Sequence, residues 1–298
     1  MRYKLLLIST IAFITLIFNI TAQAQFTSSP YSMHGVGEID NRTYGINSGM
    51  AGTGIGLRLT NHLNPLNPAS LIIDTLNFTF DISTAGRISQ YTYGNDKNTY
   101  STMAVKKIAV GFRIYPKWSI SVGLRPYSNV GYKLTTESPI EGSSSTYTTQ
   151  FEGSGGLNKL YLSNSYKLTK NLSVGVNASF LFGTVNQTEN QYEFLIERES
   201  YTRKITFDFG LQYSNKINST LSYTLGAVYG YKNNIKLYND LTITSNTTGI
   251  IHEESVKKSV KTSTPQFFGV GASATKFYGY RVFTFAADYM FENWDKVD

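Results

Sequence analysis

The sequence predicts an all-β fold, an antiparallel transmembrane β-barrel of the outer-membrane kind, and three observations predict it. Nine stretches alternate apolar residues with small or polar ones, as a strand does between lipid and a wet lumen. Terse turns and long polar connections follow one another in strict rotation along these stretches, as periplasmic turns and external loops do. An export leader stands in front of them, and no second run of about eighteen apolar residues offers a helical span.

The leader comes first. Arg2 and Lys4 precede an apolar run from Leu5 to Ile20, and Ala22-Gln23-Ala24 supplies the small-residue cleavage pattern, so residues 1–24 read as a secretory signal peptide cut before Gln25. The chain of 298 residues has no cysteine, which excludes disulfides, thiolate metal sites and lipid attachment through sulfur. Aromatic residues make up 14% and Tyr alone numbers 22, a content suited to girdles at two lipid–water boundaries. The net charge of +7 is carried by scattered cations, which gives no support to nucleic-acid binding.

Strands are predicted near 75–91, 100–114, 118–134, 148–168, 172–190, 200–214, 220–238, 263–278 and 281–294. Short turns fall at Tyr115-Pro116-Lys117, Thr169-Lys170-Asn171, Asn215 to Ser219 and Gly279-Tyr280, and long connections at about 92–99, 135–147, 190–200 and 239–262. Parity then assigns the faces. In the fifth strand Leu172, Val174, Val176, Ala178, Phe180 and Phe182 share the lipid side, opposite Ser173, Gly175, Asn177 and Ser179; the seventh repeats this with Leu221 to Tyr231 against Ser222, Thr224, Gly226 and Gly230. Aromatics gather near the turns (Tyr115, Trp118, Tyr166, Tyr213, Tyr278, Tyr280) and near the loops (Tyr91, Tyr132, Tyr192, Tyr238, Trp294). Nine passes would leave the two ends on opposite sides of the membrane, whereas single-chain bacterial barrels have even strand numbers. The expectation is therefore a barrel incomplete at its C-terminus, spanning 75–298, behind a hatch or plug segment at 25–74.

That segment does not alternate. Gly45-Ile46-Asn47-Ser48-Gly49-Met50-Ala51-Gly52-Thr53-Gly54-Ile55-Gly56 is followed by Asn64-Pro65-Leu66-Asn67-Pro68-Ala69-Ser70-Leu71 and then the first strand. This arrangement resembles the FadL-type outer-membrane transporters of long-chain fatty acids and other hydrophobic molecules. The resemblance implies fourteen strands, about nine of them present, a hatch folded into the lumen with Asn67, Pro68 and Ala69 as its motif, and an inward kink of the third strand that opens the wall sideways. Pro126 sits where that kink would fall, since a proline within an alternating strand removes a ladder donor and favours a bulge. The Gly52-x-Gly54-x-Gly56 run has no preceding strand and no following helix, so it is no dinucleotide site.

Keeping the lipid faces of the second and third strands together pairs Ile114 with Trp118, Phe112 with Ile120, Val110 with Val122 and Ile108 with Leu124. The same register sets Lys107 opposite Arg125 inside the lumen, where like charges repel. Two readings follow. Lys107 and Arg125 receive the carboxylate of an amphiphile, or lumen acids such as Asp81, Asp208 or Asp288 neutralise them.

Enzymatic chemistry has no foothold. His34, His62 and His252 lack metal-ligand spacing, no Ser–His pair suits a lipase at the lipid boundary, and no cofactor is expected. Lys257, Lys258 and Lys261 read as a solvated surface that could meet lipopolysaccharide. Two functional classes remain: passive uptake of a hydrophobic or amphiphilic small molecule through a hatch-gated barrel with sideways exit at the kink, and a non-transporting barrel serving as shuttle or plug in a secretion or surface-assembly system. Fold alone does not choose between them.

Overall fold

The computed structural model describes residues 29–40, 44–59, 62–73, 77–94, 96–140, 142, 144–191, 193–245 and 247–294. The leader and the last four residues lie outside them. A two-residue strand β1 (Glu38–Ile39) precedes one antiparallel meander: β2 (Phe78–Tyr93), β3 (Asp96–Tyr115), β4 (Trp118–Pro139), β5 (Thr146–Lys167), β6 (Leu172–Gln191), β7 (Phe194–Lys216), β8 (Leu221–Gly230), β9 (Asn233–Ser245), β10 (Gly249–Thr264), β11 (Gln266–Tyr278) and β12 (Arg281–Asn293). Only Tyr231-Lys232 parts β8 from β9, and only Pro265 parts β10 from β11. Each couple makes one pass, so the nine predicted passes are all present. The sheet runs β12-β11-β8-β7-β6-β5-β4-β3-β2, an open path ended by β2 and β12 among the described residues.

The faces are inverted relative to a soluble protein. Phe180, Phe207, Phe209 and Leu225 are 38, 38, 45 and 50% exposed on the outer side. Ser121, Ser163, Ser173, Asn177, Ser179, Thr206 and Gln212 are buried on the inner one. A two-sheet sandwich would bury the first set in a dry middle, so it is excluded. Apolar residues outward and hydroxyls inward are what a barrel wall in lipid requires.

The long polar connections are a correction. Residues 92–99, 135–147, 190–200 and 239–262 are mostly strand, closed by tight hairpins with Tyr93 paired to Asp96, Pro139 to Thr146, Gln191 to Phe194 and Ser245 to Gly249. Crossing a bilayer takes about ten residues, yet β5 has 22 and β7 has 23. The surplus projects beyond the hydrocarbon. There both faces meet water, so the chain loses its apolar alternation without leaving the β conformation. Polarity marked the solvent, not the backbone.

Register was legible up to local slips. Phe112 pairs with Ile120, Val110 with Val122 and Ile108 with Leu124, but Trp118 pairs with Tyr115 rather than Ile114. The two-residue turn Pro116-Lys117 lets the Tyr115 and Trp118 rings stack, with centroids 6.2 Å apart, and Ile114 is bulged out. A second bulge lies between Pro126 and Ser128, where β4 gains one residue over β5. One extra residue exchanges the faces. Above it Val130 and Tyr132 turn inward and are buried, which corrects the placing of Tyr132 in the outer girdle.

The described residues between 29 and 73 lie against the inward face of the wall. Apart from β1 their regular elements are short turns: Pro30–Met33, the helical turn Ile46–Gly49, and Pro68–Ser70. Leu63, Leu71 and Ile73 pack with Ala109 and Tyr161, so dry packing exists where this plug meets the wall.

Candidate functional site

An irregular segment inside a barrel brings unpaired backbone groups with it, and buried ones must find partners. The inward hydroxyls and amides of the wall supply them. Ser173 Oγ donates to Ala69 O at 2.8 Å, Ser273 Oγ to Gly56 O at 2.7 Å, and Ser119 Oγ accepts from Ile73 N at 3.2 Å. Gln212 Nε2 donates to Ile55 O and Leu57 O, both at 3.3 Å, while its Oε1 accepts from Arg58 Nε at 2.8 Å. Small polar residues on the wall's inner face therefore form the socket of a plug.

Asn67, Pro68 and Ala69 sit at the centre of that socket. Fully buried, Asn67 uses its Oδ1 to accept from Ala69 N at 3.0 Å, capping the Pro68–Ser70 turn, and its Nδ2 to donate to Ile55 O at 2.8 Å and Leu211 O at 3.2 Å. The backbone of Pro68 lies on Gly175, where a Cβ would stand 2.4 Å from Pro68 C. Fixed φ at the proline and the side-chain cap together hold the turn rigid.

The Gly52-x-Gly54-x-Gly56 run has a structural use that its spacing did not disclose. Its backbone turns around the carboxylate of Asp288 on β12, which accepts from Gly54 N, from Ile55 N at 2.7 Å and from Gly56 N at 3.4 Å. Three N–H groups converging on one carboxylate form an anion nest, and hydrogen bonds to a charged acceptor are the strong ones. Replacing Asp288 with alanine strands buried donors at 1–3 kcal/mol each at most. A loss of about 2–4 kcal/mol in plug docking is expected, read as lost hydrogen-exchange protection of residues 54–56.

Lys107 and Arg125 are both buried but are not cross-strand partners. The β3–β4 ladder ends at Ile108 and Leu124, and Lys107 pairs with Ser83 of β2 instead. The Lys107 ammonium donates to Asp81 Oδ2 at 2.8 Å and to Leu63 O at 2.7 Å, and His62 Nδ1 meets the same Asp81 oxygen at 3.1 Å. Arg125 donates from Nη1 to Tyr44 OH at 2.8 Å, and its buried Nε has no hydrogen-bond partner. Asp208 acts on Arg125 by charge, while the Arg125 hydrogen bond goes to Tyr44, and Asp288 is taken up by the glycine nest. Sequence reasoning missed His62; nothing local marked it, because its partners come from β2 and from the helical turn.

Above Leu124 the wall is parted, and the plug's first residues lie in the parting. Glu38 and Ile39 pair with Asn129 and Ser128 of β4, Asp40 N donates to Tyr127 O at 2.9 Å, and Ser29 N to Gly131 O at 3.0 Å. Toward the other lip, Glu38 pairs with Arg87 at 3.0 Å and Asp40 with Lys106. Pro126 stands at the foot of this seam, at the bulge. Met33 packs beside Val130 and Tyr132, and Val36 beside Leu157 and Leu181. Segment 29–40 thus closes the seam by backbone pairing on one side and by side-chain charge on the other.

Of the remaining sequence candidates, His34 is exposed, and His252 and Lys261 are exposed on β10 rather than in a loop. No helix among the described residues is long and apolar enough to cross a membrane.

An apolar outer face, a polar inner face and an N-terminal segment keyed to the inner one define a fold of the outer-membrane β-barrel class, with its sheet open between β2 and β12. The family model described as BamG matches residues 3–298, and the chain belongs to the BamG family. Among solved structures, the crystal structure of CarO from Acinetobacter baumannii is similar at 15% identity and a TM-score of 0.21, over 58% of this chain and 92% of CarO. No curated protein matches.

Proposed function

We propose that this chain is a non-conducting, plugged barrel that serves as a component of an outer-membrane protein assembly system. One observation carries the reading: the inner face is occupied by a segment whose buried backbone is satisfied by the wall, through Ser173, Gln212, Ser273 and Asp288. A transporter must clear its bore on every cycle, and each of these bonds opposes that. The family's name points the same way.

Uptake of a hydrophobic molecule, the FadL-type alternative, has its own support. A cavity of about 590 Å³ lies beside β12, lined by Ile39, Ile55, Leu66, Met290 and Trp294 together with acids that include Asp288. In that reading the ligand would leave by the seam at Pro126, and its carboxylate would have to displace Asp81 from Lys107 or take up the free Nε of Arg125.

Depleting the protein in its native host tests both. Assembly predicts that other outer-membrane barrels fall in abundance while long-chain fatty acid uptake per remaining barrel is unchanged. Normal barrel levels with reduced uptake of a fatty acid would reverse the choice, and equal loss for an uncharged hydrocarbon would refute a carboxylate role for Lys107 and Arg125.

A further inference from the structure

The protonation state of His62 is fixed by a relay that starts and ends on groups whose direction cannot change. Asn64 Nδ2 donates to Gly54 O at 2.7 Å, and Asn64 Oδ1 accepts from Leu66 N at 3.1 Å. Both partners are backbone, so the Asn64 amide has one orientation. Its Oδ1 also receives Asn47 Nδ2 at 3.2 Å, which orients Asn47 in turn and leaves Asn47 Oδ1 facing His62 Nε2 at 3.1 Å. The other ring nitrogen, Nδ1, faces the Asp81 carboxylate at 3.1 Å. Both nitrogens face acceptors, so both must donate.

We propose that His62 is held as an imidazolium and that its proton fastens the plug to the wall. The ring belongs to the plug and Asp81 to β2, so the charged contact joins the two bodies. A neutral ring would turn a lone pair either on the Asp81 carboxylate or on Asn47 Oδ1. Asn47 cannot relieve this by rotating its amide, because its Oδ1 would then meet Asn64 Oδ1. Asn64 cannot follow without losing Gly54 O and Leu66 N. The penalty is thereby carried into the backbone of the glycine run that grips Asp288.

Asp81 on β2 is the charged group that meets the ring; Lys107 on β3 interacts with that carboxylate and with Arg125 on β4, which in turn interacts with Tyr44 of the plug, Tyr161 on β5 and Asp208 on β7. The carboxylate nearest the ring is shared with Lys107, so His62 and Lys107 bridge to the wall through one anion.

The chain has three histidines, which makes imidazole nitrogen resonances assignable by single replacement of His34 and His252. Full-length, ¹⁵N-histidine-labelled protein in detergent micelles should show both His62 nitrogens protonated at neutral pH. A neutral tautomer there would overturn the proposal, and this readout needs no variant of His62. Hydrogen exchange supplies the second arm. In His62→Gln, whose side chain carries no charge, protection of residues 44–59 at neutral pH should fall by roughly tenfold relative to β5 and β6. Protection of residues 44–59 unchanged in His62→Gln would also overturn it.

Discussion

Replacing Asp81 with alanine should destabilise the detergent-solubilised chain by about 3–5 kcal/mol, a loss among the largest any single side chain here can produce. Two cationic groups rest on this one carboxylate. The Lys107 side chain is wholly buried and that of His62 is 6% exposed, so solvent cannot replace the lost anion. The order of effects separates this mechanism from plain loss of packing. Lys107→Met should cost less than Asp81→Ala, because it leaves the His62–Asp81 contact in place and fills the same volume with an apolar chain. Combining Asp81→Ala with Lys107→Met should cost less than the sum of the two single changes, since no unpaired ammonium then remains. Thermal unfolding of the four proteins, monitored by gel mobility and circular dichroism, measures this. Additive losses would show that Lys107 and Asp81 act independently despite their 2.8 Å contact.

The wall was legible because lipid imposes a rule that each residue obeys separately. Parity placed Leu172 through Phe182 and Leu221 through Tyr231 outward, and it named Asp81, Asp208 and Asp288 as inward acids. Parity fails wherever a strand carries an odd residue. Tyr132 faces inward because of the slip after Pro126, and Trp118 meets Tyr115 because of the slip at Ile114. The proline announced the first slip and nothing announced the second. The plug obeys no periodic rule, so its internal chemistry was hidden. Asn67, Pro68 and Ala69 drew notice as a motif, but the partners of His62 and of the glycine run are set by tertiary contact with β2 and β12. Lys107 and Arg125 were foreseen as two cations side by side, and the structure gives each a different neighbour.

Adding a single methyl group at Gly226 should lift the plug out of its socket while leaving the wall intact. Four glycines on successive strands of the wall face the plug, with Gly175 paired to Gly210 and Gly226 to Gly271. A Cβ at Gly226 would stand 2.0 Å from Ile55 O, and at Gly210 2.2 Å from Asn67 Oδ1; at Gly271 it would meet the Asp288 carboxylate at 2.1 Å and Gly56 N at 2.5 Å. At Gly226 and Gly210 these contacts are with backbone, or with an amide already fixed by further bonds, so no flexible side chain can yield. Overpacking of a core costs about 1–3 kcal/mol when neighbours can shift. Here the least resistant response is movement of the whole segment, which also surrenders the bonds of Ile55 O and Leu57 O to Gln212. Gly226→Ala should therefore abolish hydrogen-exchange protection across residues 44–59 while β5 and β6 keep theirs. Gly49→Ala is the matched control: nothing lies within 4 Å of its added carbon, and it sits in the Ile46–Gly49 helical turn. There the methyl group should be neutral or stabilise by about 0.4–1 kcal/mol. Unchanged protection in Gly226→Ala would mean that the plug does not rest on the wall backbone to backbone, and the case for a permanently filled bore would fall with it.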